Sequence, residues 1–217
     1  MSPSLIPNVA NLVRPEAPRR GYSKAWFEDD GPPPLPSDPV LLLLYPPQGS
    51  ARQITGIGSK VCDQYNLPGQ RTETDRLHAT VHFPCRFGRL SVTALAEIDD
   101  AVASLTMPPF LVGWSSVGSF GNGRPGPLVL LGDEGVVGVT MLRNELVTSM
   151  RMVGFRCGKR DFTPHVTLNY EHGSVPLKHI DEIRWTVREL VLVCSLWGHH
   201  RHRVMRRWQL RAPCLAN

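Results

Sequence analysis

The sequence predicts an α+β fold, and three features of it do so. Short apolar runs bounded by Pro and Gly read as buried strands; longer stretches between them carry apolar residues every three or four positions, as amphipathic helices do; and this strand and helix series occurs twice along the chain. A chain of 217 residues with 41% hydrophobic and 20% charged side chains has enough apolar material to bury a core of its own.

Residues 1–38 are expected to form a Pro-rich tail or arm ahead of a folded domain at 39–213, because nine of the twenty prolines fall within residues 1–39. Tyr22, Trp26 and Phe27 are available to pack on that domain, while residues 32–39 read as a linker. From Val40 the texture changes. VLLLLY (40–45) is a strand stopped by Pro46 and Pro47, and residues 48–65 place Ile54, Ile57, Val61 and Tyr65 at helical spacing. LHATVHF (77–83) is the second strand, and residues 90–105 repeat Leu95, Ile98, Val102 and Leu105 along a second helix.

The second half follows the same plan. FLVGWSSVGSF and PLVLLG are strands joined through residues 121–127. A helix from about residue 134 to 150 aligns Val137, Met141, Leu142, Leu146 and Met150. HVTLNY (165–170) is a strand, residues 177–183 suggest a short helical turn, and WTVRELVLVCSLW with HRVMRRWQLR suggest a closing hairpin.

Composition narrows the functional classes. The longest apolar run, residues 40–44, is far short of the roughly 20 residues needed to cross a bilayer, so no membrane is expected. The amino terminus lacks the pattern of a secretory signal, which makes the cytoplasm the expected compartment. Five cysteines without a Cys-x-x-Cys pair read as reduced thiols. A net charge of +5 favours anionic partners.

Two motifs carry the chemistry. Side chains two apart on a strand share a face, so His78, Thr80 and His82 should point one way, with Ala79, Val81 and Phe83 opposite. His165, Thr167 and Asn169 should do the same, with Val166, Leu168 and Tyr170 opposite. One His-x-Thr among eight histidines means little; two, each on an expected strand of a repeated series, make a pair. Paired imidazoles suit phosphodiester cleavage, one taking a proton from water and the other giving one to the departing oxygen. Hydroxyls two residues away can donate to the phosphoryl oxygens. That arrangement calls for no metal and no cofactor.

HATVHF and FTPHVTLNY resemble the paired signatures of the two-histidine (2H) phosphoesterase superfamily, and the element order resembles the bacterial RNA 2′,3′-cyclic phosphodiesterases, once named 2′-5′ RNA ligases. VLLLLYPP, GSFGNGRPGPLVLL and HRVMRRWQL resemble that family's first strand, central Gly-rich hairpin and closing strand, so the likeness runs from about residue 39 to 211. The resemblance implies two pseudo-symmetric lobes, each an antiparallel or mixed sheet with helices packed outside, around a central cleft. It implies that His78 and His165 are the general acid and base, in an order left open, and that Thr80 and Thr167 donate to phosphate. The implied activity is metal-independent hydrolysis of a 2′,3′-cyclic phosphate, or a 2′-5′ linkage, in RNA ends or nucleotides; a monomer is the default expectation. The alternative is an RNA- or nucleotide-binding module that uses the same cleft with little or no turnover.

Members of that family often carry a basic residue five positions after the second histidine, where this chain has Tyr170. Tyr170 is therefore a candidate substrate contact, and Arg86, Arg124 and Arg156 are candidates for meeting the phosphate charge. His82 is open to two readings, a third contact in the cleft or a hydrogen-bonded bystander; Phe120 likewise stacks on a base or packs in the core. His78 and His82 have the spacing of a zinc-protease helix, but Ala79 stands where the essential Glu would be and Thr80 and Val81 favour a strand. His199, His200 and His202 read as a solvated turn. Arg201, Arg203, Arg206, Arg207 and Arg211 read either as a patch steering RNA or as the polar face of an edge strand.

Overall fold

A computed structural model of the chain describes residues 23–120, 125–155, 157 and 162–212. Along the described chain run β1 (Pro39–Leu44), α1 (Gln48–Gln64), β2 (Ala79–Arg86), α2 (Val92–Ala103), β3 (Phe110–Ser119), β4 (Gly126–Leu131), α3 (Val137–Met152), β5 (His165–Gly173), β6 (Lys178–Val187), β7 (Glu189–Leu196) and β8 (Arg201–Gln209). The strands form one eight-stranded sheet in the order β6-β3-β4-β5-β2-β1-β7-β8, and its pairs are antiparallel. The class is α+β.

The order divides the sheet into two halves of four strands, with β5 and β2, the strands of the two motifs, meeting at the centre. The connections β1-α1-β2 and β4-α3-β5 are equivalent, which is the repeat visible in the sequence. Two helices reach across to the other half: α1 packs under β5 and β6, and α3 under β2 as well as under β3 of its own half. Gly58 permits the first contact, since a Cβ there would already touch the Leu168 side chain at 3.4 Å. The helices cover one face of the sheet over a continuous core that includes Leu42, Ile54, Ile98, Trp114, Leu142 and Leu192. A small cluster of Leu43, Val191 and Val193 lies on the opposite face.

Local chemistry explains the boundaries. Pro46 and Pro47 end β1 because proline donates no ladder hydrogen bond. The Ser91 hydroxyl caps α2 by accepting from the Ala94 N–H at 3.0 Å. α3 buries Val139, Leu142, Leu146 and Met150, a stripe rotated from the expected one, and leaves Val137 and Met141 exposed. The helical turn expected at 177–183 is strand instead. Leu177, Ile180 and Ile183 mimic a helical spacing, but Ile183, Trp185 and Val187 are buried at alternate positions in β6. The expected single strand 185–197 breaks at Arg188, with β6 on the far edge of one half and β7 inside the other.

The described part of the arm, residues 23–38, lies on the domain. Trp26 and Phe27 are buried beside Phe87, with ring centroids 6.3 and 6.0 Å away. The Glu28 N–H donates to the Val204 carbonyl at 2.9 Å, covering part of the edge strand β8. The stretch read as a linker is closed by Asp38, whose carboxylate is buried and accepts from the Leu35 N–H at 2.7 Å and the Trp197 N–H at 3.1 Å. The arginine patch also reads differently. Arg203 is 1% exposed, donates to Asp29 at 2.7 Å and to the Pro32 carbonyl at 3.0 Å, and stacks 3.9 Å over Phe27. Arg201 pairs with Asp29, Arg206 with Asp99, and Arg207 with Glu28 and Glu189. Much of the expected positive surface is thus neutralised within the molecule.

Candidate active site

The two motifs are presented by matching irregularities. On β1, Leu43 pairs with Thr80 but the adjacent Leu42 pairs with His82, so β2 carries an extra residue, a β-bulge, at Val81. On β4, Val129 pairs with Thr167 and Leu128 with Asn169, which places the same bulge at Leu168 of β5. A one-residue slip moves whatever follows to the other face. His78 and Thr80 therefore share the face of Leu43, while His82 joins Leu42 on the helix side; His165 and Thr167 share a face that Asn169 leaves.

This corrects the face assigned to His82, whose Nε2 lies 3.5 Å from the Cys157 Sγ on the helix side, away from Thr80. Burial pushes its pKa down to about 4. Phe83, expected to pack with Ala79 and Val81, is turned outward and exposed. Asn169 is buried, donating to the Pro68 carbonyl at 3.0 Å and accepting from the Glu171 N–H at 2.8 Å. The second bulge returns Tyr170 to the face of Thr167. Tyr170 keeps 54% of its surface exposed, yet crowding around its hydroxyl pushes the phenol pKa up.

The histidines are anchored alike. Nδ1 of His78 donates to the Arg76 carbonyl at 2.6 Å, and Nδ1 of His165 to the Thr163 carbonyl at 2.8 Å. A carbonyl only accepts, so each Nδ1 carries the proton and each Nε2 is left for other work. Ala79 pairs with Val166. Continued by one residue each way, that antiparallel register sets His78 opposite Thr167 and Thr80 opposite His165. His78 is buried, and burial first, then the charges of Arg76 and His165, lower its pKa to about 4 against the pull of its backbone hydrogen bond.

Beside His78 lies a group that the sequence reading missed. His202, on β8 rather than in a turn, stands edge-on to His78 with ring centroids 4.9 Å apart, and Tyr45 Oη is 2.7 Å from the His202 Nδ1. Burial, reinforced by His78 and Arg76, lowers the His202 pKa to about 3. Tyr45 and His202 line a pocket of about 290 Å³ with Arg76, His200 and Arg207. The available signal was parity: Tyr45 falls two residues after Leu43, and Ser195, paired with His202, two after Val193. In the other half, the half-exposed Phe120 ring lies 4.8 Å from that of His165. Arg86 is held away from the cleft, donating to the Ser37 carbonyl at 2.6 Å. Arg124 and Arg156 lie outside the described residues. Among the described residues no group of three or more His, Cys, Asp or Glu is placed to hold a metal ion, and no helix is long and apolar enough to cross a membrane.

Residues 46–196 match the model of the 2′-5′ RNA ligase superfamily. The chain belongs to that superfamily. Within the 2′-5′ RNA ligase superfamily it is 30% identical over 96 residues to an RNA 2′,3′-cyclic phosphodiesterase of Archaeoglobus fulgidus, a match covering 44% of this chain and 52% of that protein. It is 29% identical over 103 residues to an RNA 2′,3′-cyclic phosphodiesterase of Aeropyrum pernix, covering 47% and 57%. The chain thus spans about half the length of the curated relatives it matches. The fold is similar to that of E. coli LigT complexed with 3′-AMP, with a TM-score of 0.66 and 21% identity over 80% of this chain and 98% of LigT.

Proposed function

We propose that this member of the 2′-5′ RNA ligase superfamily is a metal-independent phosphodiesterase that opens 2′,3′-cyclic phosphates at RNA ends or on nucleotides. The observation that carries this reading is the junction of β2 and β5, where two imidazoles with anchored Nδ1 atoms lie diagonally across from each other, each opposite the threonine of the other half. In the reaction, a water oxygen attacks phosphorus while one Nε2 takes its proton. The bond from phosphorus to one ribose oxygen breaks, and the other imidazolium gives that oxygen a proton, leaving a phosphomonoester and a free hydroxyl. Thr80 and Thr167 donate to the non-bridging oxygens as charge builds there. Phe120 and Tyr170 contact the nucleoside.

The described cysteines, Cys62, Cys85, Cys157 and Cys194, are unpaired, in keeping with residence in the reducing cytoplasm; the same reading takes the protein as a monomer. The same reading keeps residues 39–213 as the catalytic domain of two lobes and treats residues 1–38 as an arm.

The test is hydrolysis of 2′,3′-cyclic nucleotides and of cyclic-phosphate-ended RNA in EDTA, by the native chain and by His78→Ala and His165→Ala. Turnover that survives EDTA and falls by at least ~10²-fold in each variant is expected. Loss of turnover in EDTA, or full turnover in both variants, overturns the mechanism. Binding of cyclic-phosphate RNA without turnover by the native chain indicates a binding module instead.

A further inference from the structure

An anion seated between the two histidines needs positive charge, and three guanidinium groups line the pocket beside His78: those of Arg76, Arg201 and Arg207. Two are already bound to carboxylates, Arg201 to Asp29 at 2.6 Å and Arg207 to Glu28 at 3.1 Å and Glu189 at 2.9 Å. Arg76 makes no ion pair among the described residues, although Asp75 lines the same pocket. Its Nε is buried without a hydrogen-bond partner, and its Nη1 lies 3.5 Å from the His200 Nδ1. A buried guanidinium nitrogen left unsatisfied is costly.

Position adds the second argument. The main-chain carbonyl of Arg76 holds the His78 Nδ1, so its side chain begins two residues from that imidazole. Its charge acts on His78, Tyr45 and His202 in one half of the sheet and on Tyr170 in the other. The pocket that Arg76 lines adjoins His78 through His202, whose ring stands 4.9 Å from that of His78. Tyr170, a neutral phenol, brings no charge of its own. We infer that Arg76 is the cation that binds the reacting phosphate, completing a cradle with Thr80 and Thr167. The inference rests on the cleft being the phosphodiester site proposed above, and it adds the residue that neutralises the substrate.

The test uses the full chain with Arg76→Gln, and with Arg86→Gln as a control. Two quantities are read: the affinity for inorganic phosphate by calorimetry, and kcat and KM for 2′,3′-cyclic AMP and for a cyclic-phosphate-ended oligonucleotide. Arg76→Gln should weaken phosphate binding by ~10–100-fold and lower kcat/KM on both substrates by at least as much, with Arg86→Gln near the native values. The backbone carbonyl that anchors His78 survives the substitution, so a merely structural role for Arg76 would leave phosphate affinity unchanged. Unchanged affinity in a folded Arg76→Gln overturns the inference, as does a native chain that binds no phosphate. A loss confined to the oligonucleotide would put Arg76 on a neighbouring phosphate and also overturn it. If the native chain binds phosphate, Arg76→Gln loses it, and neither hydrolyses the cyclic substrates, the inference stands and the hydrolase reading falls. Arg76→Met, which keeps the aliphatic stem, carries the same test should glutamine disturb folding.

Discussion

Ala79 of β2 pairs with Val166 of β5, and this pair joins the two halves of the sheet. Both side chains are buried on the helix side, which leaves the neighbours of each on the opposite face. The register therefore builds one site from two half-motifs: each histidine completes its constellation with a threonine from the other strand. The helices enforce this by crossing, since α1 supports β5 and α3 supports β2.

Function should accordingly be shared across the junction rather than divided between halves. Thr80→Ala and Thr167→Ala are each expected to lower kcat by ~10²-fold, the scale of losing one donor to a developing oxyanion. In the proposed mechanism Thr80 and His165 serve one bound phosphate, so Thr80→Ala combined with His165→Ala should cost little more than His165→Ala alone. Steady-state rates of the two single variants and the double variant decide this; strictly multiplicative losses would argue for independent sites.

The bulge at Val81 makes a sharp distinction between two histidines four residues apart. His82→Gln should retain turnover within about threefold of native, because the side chain lies on the helix side near Cys157. Its effect should appear instead as a lower thermal midpoint. A loss of activity comparable to that of His78→Ala would return His82 to the cleft and refute the assigned bulge.

How much of this was legible beforehand follows from the kind of signal each feature leaves. The motif strands and the three helices were readable because burial imposes periods of two and of three to four on their own residues. The bulges were not, because an extra residue leaves composition untouched and shows only in what the neighbouring strand pairs with. The Pro-rich stretch reads as a linker because proline content is local, whereas Pro32 meets Arg203 across 171 positions. Tyr45 and His202, 157 positions apart, become neighbours only through the adjacency of β1, β7 and β8. The misread segment 177–183 offered apolar residues at two periods, and pairing with β3 selected the shorter.

Acid should weaken the fold through the buried histidines. Burial lowers His78 and His82 to about 4 and His202 to about 3, below the ordinary value near 6.5. Between these limits the unfolded chain binds protons that the folded chain does not, so stability is fully present above about pH 6.5 and declines as pH falls toward 4. A depression of that size corresponds to ~3–5 kcal/mol for one such group. The urea midpoint should drop between pH 7 and pH 4.5, and His82→Phe should flatten the drop; a midpoint independent of pH would contradict the buried neutral state.

Asp29 is expected to matter more for stability than its partial exposure suggests. Its carboxylate accepts from both Arg201 and Arg203, and these guanidinium groups help hold its own pKa below the usual range despite some burial. Asp29→Ala would leave the fully buried Arg203 charge without its partner, which typically costs ~3–5 kcal/mol. Replacing Arg203 by Met in the same chain should recover part of that loss. Equilibrium unfolding in urea measures both, and an Asp29→Ala variant as stable as native would mean that the arm's anchorage contributes nothing.

Phe120 is the remaining candidate contact for the substrate. Its half-exposed ring lies beside His165 on the side of the cleft away from Tyr45 and His202, a position suited to stacking on a base. A stacked base is worth ~1–3 kcal/mol, so Phe120→Ala should raise KM for a cyclic nucleotide by ~5–150-fold with a smaller change in kcat, and Phe120→Trp should restore it. The comparison that isolates stacking is a cyclic phosphate on a ribose without a base. On that substrate native and Phe120→Ala should perform alike, because no ring remains to be stacked. A Phe120→Ala deficit of equal size with and without the base would instead assign Phe120 to holding His165 in place.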